Sequence, residues 1–271
     1  MISPPLKWHG GKGAFHGKLA QWIIGLMPPH THYVEPYFGG GSVLLAKDSE
    51  GVSEVANDLN FDLSNFWRVL RDQQHFAEFL RLCEATPFSE VEYRNALENA
   101  TASSAIDLAL SFFVRCRQSL AGRQKAFAPI TRTRIRRGMN EQASAWLTAI
   151  DGLPAVHERL KRVVILNRDA LDVIASQDGP ATCFYCDPPY VHSSRATTGE
   201  YKYEMTDLQH NNLLITLGSI SGKFLLSGYR CAVYDTYADL CGWKRHDFEI
   251  VNNAASGETK RTMTECVWTN Y

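Results

Sequence analysis

The segment Asp187-Pro188-Pro189-Tyr190 carries groups suited to holding a planar base with an exocyclic amine. Asp187 supplies a carboxylate acceptor. The two prolines fix the backbone and have no N–H groups, so rigid carbonyl groups are free to accept hydrogen bonds from an amine. Tyr190 supplies an aromatic surface on which a base can stack. Together these groups indicate chemistry at an amino nitrogen.

The residues before this segment predict the element that positions it. Residues 181–186 are apolar and follow Gly179-Pro180, which is typical of a buried parallel strand. The tetrapeptide would then lie at the carboxyl end of the strand, where ligands of open α/β sheets bind. A proline-rich turn with Asp187 as a helix cap is the other interpretation of the same residues. The rest of the chain decides between them.

A glycine turn near the N-terminus predicts a second strand-to-helix junction. Residues 33–35 form a short apolar strand, Gly39-Gly40-Gly41 follows, and an apolar helix begins at Ser42. Glycine lets the backbone turn tightly and approach a ligand closely. Asp58 lies about twenty residues later, where the next strand of a nucleotide-binding unit presents a carboxylate to ribose hydroxyls.

Three further segments are predicted to be strands. Residues 162–168 form a buried strand that ends at Asp169, which either contacts a cofactor or caps the next helix. Residues 223–227 and 261–271 belong to the same sheet, and the latter alternates like an antiparallel edge strand.

Four motifs occur in a fixed order: Lys7-Trp8-His9-Gly10-Gly11-Lys12, residues 34–42, residues 55–60 and the tetrapeptide at 187–190. Their order and spacing resemble the Dam-like, or D12 class, family of DNA adenine N6-methyltransferases. The resemblance implies an α/β fold, with a Rossmann-like methyltransferase sheet, helices on both faces and S-adenosyl-L-methionine as cofactor. It implies Asp187, Pro188 and Tyr190 as catalytic residues. It assigns cofactor binding to Trp8, Lys12, Glu35, Phe38, Gly39, Gly41, Asp58, Asp169 and Asp187.

The implied reaction is direct methyl transfer to N6 of an adenine flipped out of double-stranded DNA. Asp187 and the Pro188 carbonyl would accept hydrogen bonds from the amino group, and Tyr190 would stack on the base. The reaction requires neither a metal nor a covalent enzyme intermediate. His192 and Tyr203 are candidates for lining the pocket.

A basic segment predicts DNA binding. Residues 115–137 carry eight positive charges and no Asp or Glu, so the remainder of the chain has a net charge of −9 within a total of −1. We expect this segment to contact phosphate groups rather than acidic side chains, which makes DNA affinity fall with salt. The candidate residues are Arg115, Arg117, Arg123, Gln124, Lys125, Arg132, Arg134 and Arg136.

The domain organisation follows from the resemblance. Residues 66–160 are expected to form an inserted, mostly helical target recognition domain, and residues 1–65 with 161–271 to form the catalytic domain. Gly122, Pro129 and Gly138 predict a loop or hairpin between helices. The hairpin of GATC-specific relatives differs from residues 125–132, so GATC is doubtful as the recognition sequence.

Composition agrees with a compact enzyme. A chain of 271 residues with 45% hydrophobic content can bury one domain core plus an insertion. No apolar run approaches the length of a membrane span and the polar start resembles no secretory signal, so we expect a cytoplasmic, DNA-associated protein of bacterial or phage origin. The seven cysteines, an odd number, predict neither a disulfide framework nor a zinc site.

Alternative functions remain at this point. A cytosine-N4 methyltransferase of the same fold usually has Ser in place of Asp187, and a glutamine-modifying protein methyltransferase has Asn. A DNA-binding relative without catalysis is a third alternative. A cognate restriction nuclease is not required by any of these residues.

Overall fold

The protein, examined as a computed structural model, is described for residues 2–8, 10–12, 17–101, 104–191, 203–251 and 262–271. It divides into two compact units. The first unit comprises residues 1–21, 39–48 and 60–167, and the second comprises residues 22–38, 49–59 and 168–271. Pro, Gly and polar stretches separate the helices and strands of both units.

The described strands are β1 (His32–Glu35), β2 (Ser53–Asn57), β3 (Ile135–Arg136), β4 (Met139–Asn140), β5 (Val163–Leu166), β6 (Thr182–Cys186), β7 (Lys223–Tyr229), β8 (Lys244–Val251) and β9 (Thr262–Thr269). The described α-helices are α1 (Lys18–Leu26), α2 (Ser42–Ala46), α3 (Phe61–Arg71), α4 (Gln73–Ala85), α5 (Glu90–Glu98), α6 (Ala105–Gln118), α7 (Glu141–Asp151), α8 (Leu153–Leu160), α9 (Ala170–Gln177), α10 (Asp207–Ser219) and α11 (Ala232–Cys241). Two 3₁₀ turns cover Asn99–Thr101 and Leu120–Gly122.

Six strands of the second unit lie side by side in the order β2-β1-β6-β7-β9-β8. The first four run parallel, and β9 runs antiparallel to both β7 and β8. This mostly parallel sheet confirms the α/β fold class. All five residues of β6 are buried, which explains why its sequence is a continuous apolar run rather than an alternating one.

The C-terminal strand is placed differently from the sequence prediction. β9 was predicted as an edge strand, but it lies between β7 and β8, and β8 is its outer neighbour. The prediction was wrong because β8 begins Lys244-Arg245-His246-Asp247 and has no apolar run at its start. Such a strand forms because β9 supplies a full row of hydrogen-bonding partners.

The first unit is mostly helical, which confirms the predicted helical content of residues 66–160. Side chains that precede each helix satisfy its first N–H groups: Asn60, Asp72, Ser89 and Asn140 accept hydrogen bonds at the starts of α3, α4, α5 and α7. The core is aromatic. Phe66 of α3 stacks on Phe113 of α6 with ring centroids 5.8 Å apart, and both are fully buried.

The predicted hairpin between helices is also present in this unit. Ile135 and Arg136 of β3 pair with Asn140 and Met139 of β4 in antiparallel register. The turn between them places Arg137 at φ 55° and Gly138 at φ 73°, the left-handed conformation that two-residue hairpin turns require. Gly138 therefore has a conformational role.

Gly122 fixes the N-terminal segment to the end of α6. It has φ 73°, and a Cβ built there would overlap the carbonyl oxygen of Lys7 and lie 2.8 Å from its carbonyl carbon. The Lys7 ammonium also donates to Oε1 of the Gln142 side chain, at 3.2 Å. Burial, then the charge of Arg117, lower the pKa of Lys7 to about 8 despite the opposing effect of Glu141.

No helix in the described part of the chain is long and apolar enough to cross a membrane.

Gly122→Ala and Gly138→Ala form a matched pair that tests the contact with Lys7. Both residues have φ 73°, but a Cβ at Gly138 meets no atom within 4 Å. We expect Gly138→Ala to lower the free energy of unfolding by about 1–2 kcal/mol through left-handed strain alone. We expect Gly122→Ala to lower the free energy of unfolding by about 1–3 kcal/mol more than this, because its Cβ also overpacks against a backbone carbonyl. Urea unfolding of both variants measures the difference, and equal losses would contradict the close approach.

Candidate active site

Asp187-Pro188-Pro189-Tyr190 follows β6 directly, as predicted. β6 pairs in parallel with β1 on one side and β7 on the other, so the segment leaves the sheet at the carboxyl edge of the parallel strands. Asp187 is half-buried, and Pro188 and Tyr190 are buried. The placement of the tetrapeptide after a buried parallel strand is confirmed.

Three acidic residues lie at this edge of the second unit. Glu35 is the last residue of β1, Asp58 follows β2, and Asp187 follows β6. Because β1 pairs in parallel with both β2 and β6, the three strand ends are neighbours. Within the sheet, β2 is the neighbour of β1 on one side and β6 is its neighbour on the other. Such a switch point is where open α/β sheets bind ligands.

The three carboxylates differ in exposure. Glu35 is only 2% exposed, and its carboxylate accepts a hydrogen bond of 2.7 Å from the hydroxyl of Tyr33 on the same face of β1. Burial, then the charge of Glu35, raise the pKa of Tyr33 well above its ordinary value, so the phenol remains a donor. Asp58 and Asp187 are half-buried. A ligand at this edge therefore meets Asp58 and Asp187 more readily than Glu35.

Tyr190 is held by two contacts from other strands. Its hydroxyl donates to the carboxylate of Glu265 on β9, and its ring meets the Tyr229 ring edge-on, with centroids 4.7 Å apart. Burial, then the negative charges of Asp187 and Glu265, raise the pKa of Tyr190 well above its ordinary value. Tyr190 is therefore a neutral phenol at physiological pH.

Glu265 escaped the sequence analysis. The sequence predicts only that it belongs to a strand. In the structure it is 3% exposed and accepts a hydrogen bond from the Tyr190 hydroxyl of the tetrapeptide. The signal was present, because Glu265 stands directly before Cys266-Val267-Trp268 in a strand with a buried interior. A carboxylate in such a place requires a specific partner.

Asn57 was also missed, and it organises the loop after β1. This buried side chain donates to the carbonyls of Pro36, at 2.9 Å, and Arg168, at 3.0 Å, and it accepts from the Arg168 N–H at 2.9 Å. Its backbone carbonyl accepts from Phe38 N–H at 2.8 Å. Asn57 thus fixes the path from β1 through the buried Phe38 to the glycine turn.

Asp169 has an observed structural role. Its carboxylate accepts a hydrogen bond of 2.8 Å from Leu171 N–H and so caps α9. Of the two roles considered for this residue, the helix cap is present in the structure. The side chain is exposed, and its contact with the cofactor stays a prediction.

In the first unit, Trp8 covers the glycine turn. Gly39 and Gly41 have φ 51° and 69°, so the predicted tight turn is confirmed. A Cβ built at Gly39 would lie 2.9 Å from Trp8 Nε1, and one at Gly40 would lie 2.8 Å from Trp8 Cβ. Trp67 Nε1 also donates to the Gly39 carbonyl, at 3.1 Å. The turn requires glycine because the indole lies directly on its backbone.

Lys12 is a buried cation in the same unit. Its side chain is 4% exposed, and the ammonium donates to the Gly10 carbonyl at 3.1 Å. Burial of an ammonium is costly unless polar partners compensate. A cation held in this way is suited to binding an anionic group of a ligand.

The basic segment separates into internal and exposed residues. Arg115, only 7% exposed, donates to the Ala96 carbonyl at 3.1 Å and lies 4.0 Å from Asp62. Arg117 donates to the Ala145 carbonyl at 2.7 Å, and burial lowers its pKa to about 10. Arg115 fills an internal position in the helical unit, and Arg117 is half-buried beside it. The prediction placed them on the DNA surface because sequence proximity does not give the direction of a side chain on α6.

The expectation that the basic segment has no acidic partners was wrong. Arg134 lies 3.6 Å from Glu141, and Arg137 lies 3.4 Å from Asp151, because α7 brings acids from beyond the segment. Gln124 is half-buried and accepts from Arg115 Nε at 3.4 Å. The predicted DNA-contacting residues that are exposed are Arg123, Lys125, Arg132, Arg134 and Arg136.

Tyr203 and His192 were predicted as candidates for lining the pocket. Tyr203 is exposed, and His192 lies outside the described residues. Within the described ranges, no group of three or more His, Cys, Asp or Glu side chains is arranged to hold a metal ion. All seven cysteines are free, and Cys183 and Cys186 are buried in β6, as the sequence predicted.

Comparison with known proteins places these features in a family. A search of curated proteins returned no match. The model of the family "D12 class N6 adenine-specific DNA methyltransferase" matches residues 8–253, which include Trp8, the glycine turn, Asp58 and the tetrapeptide. Because this match extends over most of the sequence, the chain belongs to the D12 class of N6 adenine-specific DNA methyltransferases, and it is an enzyme of that class.

Proposed function

We propose that this enzyme transfers a methyl group from S-adenosylmethionine to N6 of an adenine flipped out of double-stranded DNA. The observation that carries the proposal is the position of Asp187-Pro188-Pro189-Tyr190 at a switch point of the sheet, in a chain of the adenine-specific family. A base stacked in a duplex cannot reach a half-buried carboxylate at the edge of a sheet, so flipping is part of the proposal.

Asp187 and Pro188 orient the amino group. The Asp187 carboxylate and the Pro188 carbonyl accept hydrogen bonds from the two amino hydrogens, which favours a pyramidal nitrogen with an available lone pair. Positioning of the nitrogen supplies most of the rate enhancement, because no proton needs to leave before the new bond forms. The buried Tyr190 lies at the end of the same segment and provides the ring for base stacking.

The residues proposed for the cofactor match its chemical groups. In the second unit, the half-buried Asp58 carboxylate suits ribose hydroxyls. In the first unit, the buried Lys12 ammonium suits a carboxylate, and the Trp8 indole suits an adenine ring. Glu35, Phe38, Gly39, Gly41 and Asp169 are further candidates for cofactor binding. When bound, S-adenosylmethionine supplies a methyl group activated by its sulfonium.

The exposed cations of the first unit are proposed to contact DNA. Arg132 lies before the β3–β4 hairpin, and Arg136 is the last residue of β3. Arg123 and Lys125 lie in the loop after α6. Exposed guanidinium and ammonium groups release counterions when they neutralise phosphates, which favours binding at low salt. The helical unit that contains residues 66–160 is in this proposal the part that recognises the DNA sequence.

Nucleoside mass spectrometry tests the proposed reaction. The purified enzyme is incubated with S-adenosylmethionine and DNA from a methylation-deficient host, and the DNA is digested to nucleosides. We expect N6-methyladenine, because Asp187 is an acceptor suited to the adenine amine. N4-methylcytosine would overturn the choice of base, and the absence of any methylated nucleoside despite measurable cofactor binding would contradict the proposed activity.

Asp187→Ala separates catalysis from binding. We expect kcat for methylation to fall by at least about 10²–10³-fold, the usual cost of losing one preorganised polar group at a reacting centre. DNA affinity and the melting temperature should change little, since Asp187 follows β6 rather than forming part of it. Asp172→Ala, on the exposed face of α9, is the control. A variant that unfolds instead would show that Asp187 is structural.

The salt dependence of DNA binding tests the exposed arginines. For the double variant Arg132→Gln/Arg136→Gln, we expect the slope of log affinity against log salt to become shallower by about 2, near 0.9 per lost phosphate contact. Arg137→Gln is the matched control, because the Arg137 guanidinium is paired with Asp151. An unchanged slope in the double variant would exclude phosphate contacts by these two residues.

A further inference from the structure

Glu265 occupies an unusual position for a carboxylate. It lies on β9, an interior strand, opposite Tyr229 of β7 and Phe248 of β8, and it is 3% exposed. Desolvation of an ionised carboxylate costs several kcal/mol unless hydrogen bonds and nearby dipoles compensate. Apolar residues would fill such a position without this cost, as Cys266 and Val267 do on either face of the same strand. Its presence indicates a specific function.

The contact of Glu265 with Tyr190 supplies that function. The two residues are 75 positions apart in the chain, and the Tyr190 hydroxyl donates directly to the Glu265 carboxylate. Tyr229, which pairs with Glu265 across the β7–β9 ladder, holds the same phenol ring edge-on at an interplanar angle of 78°. The hydroxyl and one edge of the ring are therefore fixed by neighbouring residues of two paired strands.

We infer that Glu265 is a positioning residue for methyl transfer: it fixes the Tyr190 ring, and through it the Asp187-Pro188-Pro189 backbone, in the orientation that the flipped base requires. The inference rests on the proposed function of the tetrapeptide. Tyr190 and Asp187 are three positions apart on a backbone stiffened by two prolines, so anchoring the Tyr190 side chain also restrains the backbone that carries Asp187 and the Pro188 carbonyl.

The electrostatics agree with this role. Burial, then the charges of Asp187 and Glu265, raise the pKa of Tyr190 well above its ordinary value, so the phenol keeps the proton that it donates to Glu265. Asp187 and Glu265 are like charges that both act on the same phenol. The phenol proton is directed to Glu265.

The test compares Glu265→Gln, Glu265→Leu and Tyr190→Phe. Gln keeps an oxygen that accepts from the Tyr190 hydroxyl, whereas Leu does not. We expect Glu265→Leu and Tyr190→Phe to lower kcat by about 10–100-fold and Glu265→Gln by less than about 5-fold, from the usual strengths of charged and neutral hydrogen bonds. KM for S-adenosylmethionine should stay within about 2-fold in all three, because the changes act on Tyr190, which is proposed to hold the base rather than the cofactor.

A double-mutant cycle decides between positioning and general destabilisation. In the Tyr190→Phe background, Glu265→Gln should change kcat by less than about 2-fold, because the bond that it weakens is already absent. Effects that multiply in the double variant would overturn the inference. This comparison holds even if Glu265→Leu does not fold, since the Gln and Phe variants preserve side-chain volume.

Two controls on the same sheet match these changes. Tyr271→Phe removes a phenol that donates to the Leu26 carbonyl at 2.6 Å, at the opposite edge of the sheet from Asp187. Glu249→Gln changes an exposed glutamate on β8, paired with Thr264. Both should retain wild-type kcat. If the wild-type enzyme methylates DNA but Glu265→Leu and Tyr190→Phe have the same kcat as these controls, the positioning role of Glu265 is wrong and the proposed function stands. If the wild-type enzyme yields no methylated base, the proposed function itself is wrong.

Discussion

The parallel pairing of β1 with both β2 and β6 is the constraint on which the rest of the second unit depends. Val34 of β1 stands opposite Val55 on one side and Phe184 on the other. Residues far apart in the chain therefore leave the sheet together at its carboxyl edge. A slip of one residue in either register would exchange the two faces of a strand, so packing against both faces protects the alignment of Asp58 and Asp187.

Buried phenols make the charges near this edge tolerable. Tyr33 donates to Glu35, and Tyr190 donates to Glu265; Tyr185 hydrogen-bonds to Ser227 beside them. Each carboxylate thereby has a donor that stays protonated, because burial raises the pKa of all three phenols. Removing one phenol withdraws a hydrogen bond from a carboxylate in a region of low polarity, where such a loss is costly.

How much was predictable from sequence follows from the range of the interactions involved. The buried β6, the glycine turn and the hairpin at Gly138 depend on local apolar runs and backbone conformation, and all were predicted. Strand β8 depends on pairing with β9, and no local apolar pattern reveals it. For Glu265 the sequence offers a polar residue beside a buried run, but its partner Tyr190 is distant in the chain and cannot be read from the local pattern. The direction of the Arg115 and Arg117 side chains depends on which face of α6 meets the core. The sequence does not indicate that face, because eight basic residues in the segment obscure the apolar periodicity of the helix.

Helix α6 explains why some basic residues of segment 115–137 are buried and others are exposed. Its buried face carries Phe112 and Phe113, and the Trp8 ring lies 6.1 Å from Phe112, so the helix supports the segment that covers the glycine turn. The turn after α6 contacts Lys7 through Gly122 and then continues to the exposed Arg123 and Lys125. Arg115 and Arg117 on the helix donate to the carbonyls of Ala96 and Ala145, whereas Arg123 and Lys125 beyond Gly122 are exposed. Within the first unit, the residues proposed for the cofactor and those proposed for DNA are thus supported by one helix, and displacement of its C-terminal end would disturb both.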